Sequence, residues 1–318
     1  MSKPITISAG IDTGKHRLDA AIDGSKEQLQ VDNTPEGHKA LSHWLRQHRV
    51  ERIGIEASGG YEQAAVRQLR QDRFVVVVFQ PTQVRAYAMF HLQRAKNDRI
   101  DAALIANCTA ATRKIHAAPD PRLAPFAVHL TMIEQIGEDI ARIKTRCESC
   151  RSDARIRGVW EQQIKQLKAL LKAEIAALVA DIRQHSDLAE RLKLIASVRG
   201  VGLRTAVATL VRMPEIGSIT REQAAALAGL APFDDDSGER TGQRHIDGGR
   251  ARLRTSLYSA ALPASFRWNT QLMALYSRLI AAGKRHKVAL VACARKLLCI
   301  VNSVVHRGTP WTQKLAAT

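Results

Sequence analysis

The chain has 318 residues, enough for two or three domains with substantial cores. Aromatic residues are only 4%, too few for a wide base-stacking platform. The 48 Lys and Arg against 30 Asp and Glu leave a formal charge of +18, and between residues 239 and 318 fourteen cations face two acids, Glu239 and Asp247. A generic solubilising surface would spread that charge, whereas a phosphate backbone, whose neutralisation releases counterions, accounts for its concentration.

In chain order, Ile5 to Ile11 and Leu18 to Ile22 are short β-like runs joined through Gly14-Lys15-His16-Arg17, a hairpin signal. Pro35 to His48 predicts a helix, Arg52 to Glu56 a strand ending at Ser58-Gly59-Gly60, and Tyr61 to Arg70 a helix. Phe74 to Phe79, with four consecutive valines, predicts a buried strand closed by Pro81, and Lys96 to Thr109 another helix. This β-β-α-β-α-β-α order predicts a mixed sheet with covering helices, an α/β domain over residues 1–125.

Residues 126–192 are charged, poor in glycine and helical in period. Ile133, Ile136, Ile140 and Ile143, then Ile164, Leu167, Leu170, Leu171, Ile175 and Leu178, form the apolar stripe of two long helices. A coiled coil that dimerises the protein and a bundle within one chain both fit this stripe. Cys147 and Cys150 form a lone CxxC without the second ligand pair that zinc requires, so five free thiols are expected. Neither a leader pattern nor a run of 18 uncharged apolar residues occurs, and the expectation is a cytoplasmic protein with no membrane segment.

Residues 193–318 predict a mostly helical, basic domain. Val198-Arg199-Gly200-Val201-Gly202, with Ala206 and Leu210 following at helical spacing, reads as a helix-hairpin-helix turn. Gly200 and Gly202 would let the backbone approach a phosphate beside Arg199 and Arg204, although a plain helix connection carries glycines too. Thr220 and Gln223 form a capping box. Asp234, Asp235 and Asp236 precede Ser237-Gly238 in a segment that reads as an exposed loop. Arg250, Arg252 and Arg254 open a helix whose basic first turns oppose its own dipole, a cost that nucleic-acid contact would explain.

Four acids stand at the ends of elements in the first domain. Asp12 closes Gly10-Ile11-Asp12, Glu56 closes Gly54-Ile55-Glu56, and Asp98 and Asp101 are three apart on one helix face. Hard carboxylate oxygens in such an arrangement suit a pair of Mg²⁺ (or Mn²⁺) ions clamping the attacking and leaving oxygens of a phosphoryl transfer. Each acid alone reads better as turn chemistry or surface charge; together they point to a metal site.

The segments GIDTGK, GIEASGGYE and KNDRIDAALIA closely resemble the DEDD-type insertion-sequence transposases, a family that includes the Piv-type DNA invertases and bridge-RNA-guided recombinases. The resemblance implies an RNase H-like (RuvC-like) first domain with Asp12, Glu56, Asp98 and Asp101 as its metal-binding quartet. It continues into the second half, where a serine-glycine pair precedes a glycine- and arginine-rich helix, which makes Ser237 the catalytic serine. Three aspartates before the serine depart from the family pattern, with Arg240 and Arg244 in place of the usual basic residues. The resemblance also implies donor and target DNA as substrates, a homo-oligomer that assembles the acids of one protomer with the serine domain of another, and a structured non-coding guide RNA. Lys96, Arg199, Gly200, Gly202, Arg204, Arg244, Arg250, Arg252 and Arg254 are the nucleic-acid contacts expected on this reading. Rival readings are a Holliday-junction endonuclease that would not need Ser237, an actin-like sugar kinase suggested by GIDTGK, and a non-catalytic RNA-binding module.

Overall fold

A computed structural model describes residues 6–92, 98–113, 119–150, 153–234, 242 and 244–312, with the side chains of 98–100 outside that set. The chain divides into two compact units, 1–118 and 119–318.

In the first unit a five-stranded sheet has the spatial order β3-β2-β1-β4-β5. Its strands are β1 (Ser8–Thr13), β2 (Arg17–Ile22), β3 (Gln28–Asp32), β4 (Arg52–Glu56) and β5 (Val75–Phe79). β1, β2 and β3 form an antiparallel meander, while β4 and β5 lie parallel to β1. This order and these senses are the sheet expected of an RNase H-like domain. β3 was not legible as a strand from its sequence, Gln-Leu-Gln-Val-Asp, because it is an edge strand with polar residues facing outward.

Helices cover both faces. α1 (Pro35–Gln47) and α2 (Gln63–Gln71) pack Leu41, Leu45, Val66 and Leu69 against Ile11, Leu18, Ile53 and Ile55. α3 (Pro81–Phe90) and α4 (Asp98–Ala111) take the other face, where Val84, Leu104 and Ile105 enclose Phe79. Pro81, read as closing β5, also opens α3. Its missing N–H is no loss in the first helical turn, and Gln80 and Gln83 cap that turn reciprocally.

Among the described residues the regular structure of the second unit is helical apart from one short ribbon. α5 (Leu123–Ser149) and α6 (Ala154–Arg183) run antiparallel. His129 meets Glu174 near one end of the pair at 2.8 Å, and Arg146 lies over Trp160 near the other. Leu130, Ile133, Leu178 and Ile182 join one core with α7 (Ser186–Ser197), α8 (Leu203–Arg212), α9 (Arg221–Leu227), α10 (Ala251–Pro263), α11 (Thr270–Ala281) and α12 (His286–Arg307). The long pair is thus rooted in the C-terminal core rather than set apart as a middle region.

α12 is long and apolar enough in composition to cross a membrane. Half of its apolar window is buried inside the protein, with Leu290, Cys293, Leu297, Leu298 and Val301 in the core, which makes it a core helix. All five cysteines are unpaired.

Candidate active site

The face of the sheet under α4 is graded along the strands. β1 and β4 pair Gly10 with Gly54, and β1 and β2 pair Gly10 with Ala21. These small residues let the α4 backbone sit directly on the sheet. A Cβ on Gly10 would collide with the Ala106 nitrogen and the Ala102 carbonyl, and one on Gly54 with the Thr109 hydroxyl. Two residues further along, strand alternation returns the side chains to the same face. That level holds Asp12, with Asp19 opposite it on β2. The β1–β4 register, extended by one residue beyond Ile11 and Ile55, sets Glu56 beside Asp12 on its other side. Neighbouring strands are about 4.8 Å apart, so this is one row of acids across three strands.

The direction of α4 follows from its contacts. Arg52, at the start of β4, donates through Nη1 to the Thr112 carbonyl at 3.0 Å, near the C-terminal end of α4. Gly10 meets Ala102 and Ala106, nearer its N-terminal end. α4 therefore runs opposite to β1 and β4, and its first turn, with Asp98 and Asp101, lies toward the strand ends that carry Asp12 and Glu56. Acids in a first turn also suit the helix dipole. Asp98 is the first residue of the helix; its side chain, like Lys96 as a whole, is outside the described residues.

The loops after the two acidic strands are fastened by residues the sequence reading did not single out. Glu62, 9% exposed, accepts from the Ser58 and Gly60 backbone amides at 3.0 and 2.9 Å and so shapes the Ser58-Gly59-Gly60 turn behind Glu56. Asn33 donates to the carbonyls of Gly14 and Tyr61 at 3.0 and 3.1 Å, tying the loop after Asp12 to the loop after Glu56. Asp19, 7% exposed, accepts from Gln30 at 2.8 Å. The signal for Asp19 was the hairpin register, and the signal for the helix seat was a glycine two residues before each strand acid.

All the candidate donors are carboxylates, the hard oxygens that Mg²⁺ or Mn²⁺ prefers, so the residues fit such an ion. Among the described residues no group of three or more His, Cys, Asp or Glu is gathered tightly enough to hold a metal ion. The strand register and the direction of α4 bring Asp12, Glu56 and the first turn of α4 to one end of the sheet.

In the second unit α7 and α8 are joined by the glycine-containing turn 198–202. Gly200 has a φ of 103°, and a Cβ there would strike Ala264; Gly202 caps α8 in open space. Buried Asn269 donates to the Arg199 carbonyl at 2.9 Å and fixes the turn from below. Arg199 and Arg204 are exposed, and Arg204 lies over Gly137 of α5. β6 (Pro232–Phe233) and β7 (His245–Ile246) form a ribbon, and Arg244 pairs with Asp234 beside it. Ser237, between these strands in sequence, lies outside the described residues.

The three arginines at the start of α10 stand differently from the expectation of free phosphate contacts. Arg250 grips Glu215 through both Nη atoms at 2.8 and 2.6 Å. Arg252 meets Glu134 and Glu138 at 3.0 and 3.3 Å. Arg254 donates to the Gly248 carbonyl at 2.6 Å where two glycine turns dock backbone to backbone. These internal acceptors offset the cost of a basic helix start.

A profile of the IS110-type DEDD transposases, described as Transposase, matches residues 9–152 of this chain. That of the Transposase IS116/IS110/IS902 family matches residues 192–277. The chain belongs to this transposase family. Pilin gene-inverting proteins of Moraxella bovis and Moraxella lacunata are each 26% identical to it over 323 residues, covering 96% of this chain and 98% of theirs. The Insertion element IS110 uncharacterized 43.6 kDa protein of Streptomyces coelicolor is 29% identical over 143 residues, 44% of this chain and 35% of that protein. Among solved structures, Thermus thermophilus RuvC matches 36% of this chain and 84% of its own, at 18% identity and a TM-score of 0.24. At that score the RNase H-like reading stands on strand order alone. The family makes the protein a DNA recombinase of the transposase and invertase kind and implies a divalent metal.

Proposed function

We propose that Asp12, Glu56, Asp98 and Asp101 together hold Mg²⁺ or Mn²⁺ and that this centre cuts and rejoins DNA strands. The observation that carries the reading is the register of Asp12 beside Glu56 at the end of the sheet toward which the first turn of α4 points. When bound, the metal supplies charge neutralisation for phosphoryl transfer. Asp12 and Glu56 contribute hard ligands from two rigid strands, and Asn33 and Glu62 keep the loops behind them in place. Ser237 is the nucleophile on this reading, supported by the family match, which spans its position.

Three features belong to the same proposal. The α5–α6 pair joins protomers of a homo-oligomer, a reading supported by Val159 and Leu170, 56% and 44% exposed on α6. The turn at Arg199, Gly200, Gly202 and Arg204 receives a DNA phosphate at the start of α8. A structured non-coding RNA, implied by the family resemblance alone, guides target choice; sequencing RNA that copurifies with the protein tests it.

The central reading is tested with Asp12→Asn and Glu56→Gln on labelled DNA. Both variants should bind DNA as the wild type does and leave it uncut in Mg²⁺ or Mn²⁺, and chelation should silence the wild type. Undiminished cleavage by both variants would remove the quartet from the mechanism. A hydrolytic junction endonuclease is the second reading; its products would be nicked strands without rejoined recombinants.

A further inference from the structure

From Gly248 to the last residue the sequence contains no Asp or Glu. The arginines at the start of α10 borrow acids from elsewhere, but a second group does not. Arg267, Arg278, Lys284, Arg285 and Lys287 make no side-chain ion pair or hydrogen bond among the described residues. Arg267 lies in a π-helical turn (Ala264–Trp268), Arg278 near the end of α11 and Lys284, Arg285 and Lys287 around the start of α12, and the stacking of Phe266 on His286 brings that turn and that helix start to one corner of the second unit.

That corner also concentrates a scarce residue type. In a chain with 4% aromatics, Phe266, Trp268 and Tyr276 fall within eleven residues. Phe266 and Trp268 are 45% and 46% exposed. Phe266 sits edge-on to Tyr276 at 4.9 Å between ring centroids and stacks on His286 at 6.4 Å with planes 19° apart. Tyr276 and His286 share a hydrogen bond of 2.7 Å, which fixes the two rings behind Phe266. Buried Asn269 caps α11 and braces the end of the π turn. The exposed rings are therefore presented by a rigid base, and π-helical turns recur at functional sites.

We infer that this corner binds an unpaired DNA strand, its bases stacking on Phe266 and Trp268 and its phosphates meeting Arg267, Arg278, Lys284, Arg285 and Lys287. Ring faces exposed amid unneutralised cations suit a strand whose bases are free to stack; a duplex keeps its base faces covered. Two rings hold one or two bases, so the platform is small. The choice of DNA rests on the proposed strand-cutting reaction, which frees unpaired ends.

The test compares full-length wild type with a Phe266→Ala/Trp268→Ala double variant, both checked for folding by circular dichroism. Binding of fluorescein-labelled single-stranded DNA, the matching duplex and the matching single-stranded RNA is measured by anisotropy. The double variant should lose about tenfold in affinity for single-stranded DNA and keep its affinity for duplex. In a second variant, replacing Lys284, Arg285 and Lys287 by Gln should flatten the salt dependence of single-strand binding by about 0.7 for each phosphate left without its cation. Unchanged single-strand affinity in the double variant would overturn the inference. So would an equal loss on duplex, an effect confined to RNA, or sedimentation showing that the rings instead join two copies of the chain. Because the readout is binding, Asp12→Asn should leave it intact, which separates failure here from failure of the metal-centre reading.

Discussion

His38 Nε2 donates a 2.7 Å hydrogen bond to Asn33 Oδ1. The direction is set by Asn33, whose amide nitrogen is occupied in donating to Gly14 and Tyr61, leaving its oxygen to accept. His38 is 5% exposed, so a buried imidazole on α1 orients the amide that links the loops behind Asp12 and Glu56. The acidic centre is thereby coupled to the opposite layer of the domain.

Burial lowers the His38 imidazole below its ordinary 6.5, against a smaller opposing pull from Glu36. The unfolded chain thus binds more protons than the folded one between the lowered value and 6.5. Stability from this group is complete above 6.5 and is lost as pH falls through that window. Urea midpoints at pH 7.5 and 5.5 should therefore differ less for His38→Gln, which has no titrating ring, than for wild type. Asn33→Ala should cost about 1–3 kcal/mol, because it leaves two loop carbonyls and a buried ring without partners.

Gly10→Ala should be far more harmful than its size suggests. The added methyl meets α4 backbone, which cannot rotate aside as a side chain would. Overpacking of this kind costs about 1–3 kcal/mol, and here it also displaces the turn that carries Asp98 and Asp101. Metal-dependent cleavage should fall with it. Gly158→Ala is the contrast: nothing lies within 4 Å of the new methyl on α6, and stability should rise by up to about 1 kcal/mol. Chemical denaturation and cleavage assays on the two variants check both.

The alternation of strands and helices in the first unit was legible because buried runs such as Val75–Phe79 and capped helices such as α1 carry strong local patterns. β3 escaped because an edge strand alternates weakly, and α3 because Pro81 marks the end of one element and the start of the next. Asp12 and Glu56 were legible as strand-end acids, whereas Asp19 needed the hairpin register to join their row. The roles of Arg250 and Arg252 were hidden for a different reason. Their partners Glu215, Glu134 and Glu138 are distant in sequence, and only tertiary folding brings those charges together.

That placement separates two kinds of basic residue by experiment. Arg250→Ala should lower stability by about 1–3 kcal/mol, since it strips Glu215 of a two-pronged partner, and should leave the salt slope of DNA binding unchanged. Glu134→Gln should be worse. Its carboxylate is 10% exposed and accepts from both Arg212 and Arg252, and breaking a buried pair costs about 3–5 kcal/mol. A salt slope that falls by about one on loss of Arg250 would return that residue to the DNA surface.

Ser237→Ala should bind DNA and divalent metal but form no covalent protein–DNA adduct and no recombinant product. The family match spans this position, and the ribbon of Pro232–Phe233 with His245–Ile246 brackets its segment in sequence. A serine hydroxyl needs activation, and neighbouring His245 belongs to the ribbon strand, with no carboxylate partner among the described residues. Attack by serine would retain the phosphodiester energy in a protein–DNA bond and let strands rejoin without ATP; attack by water would dissipate it. Wild type should therefore give a slow-migrating, protease-sensitive DNA species on a denaturing gel that the variant lacks. If Ser237 only capped a turn, its loss would cost about 1 kcal/mol of stability and leave recombination at the wild-type rate. A folded variant that still recombines would remove serine from the reaction and leave water as the attacking group.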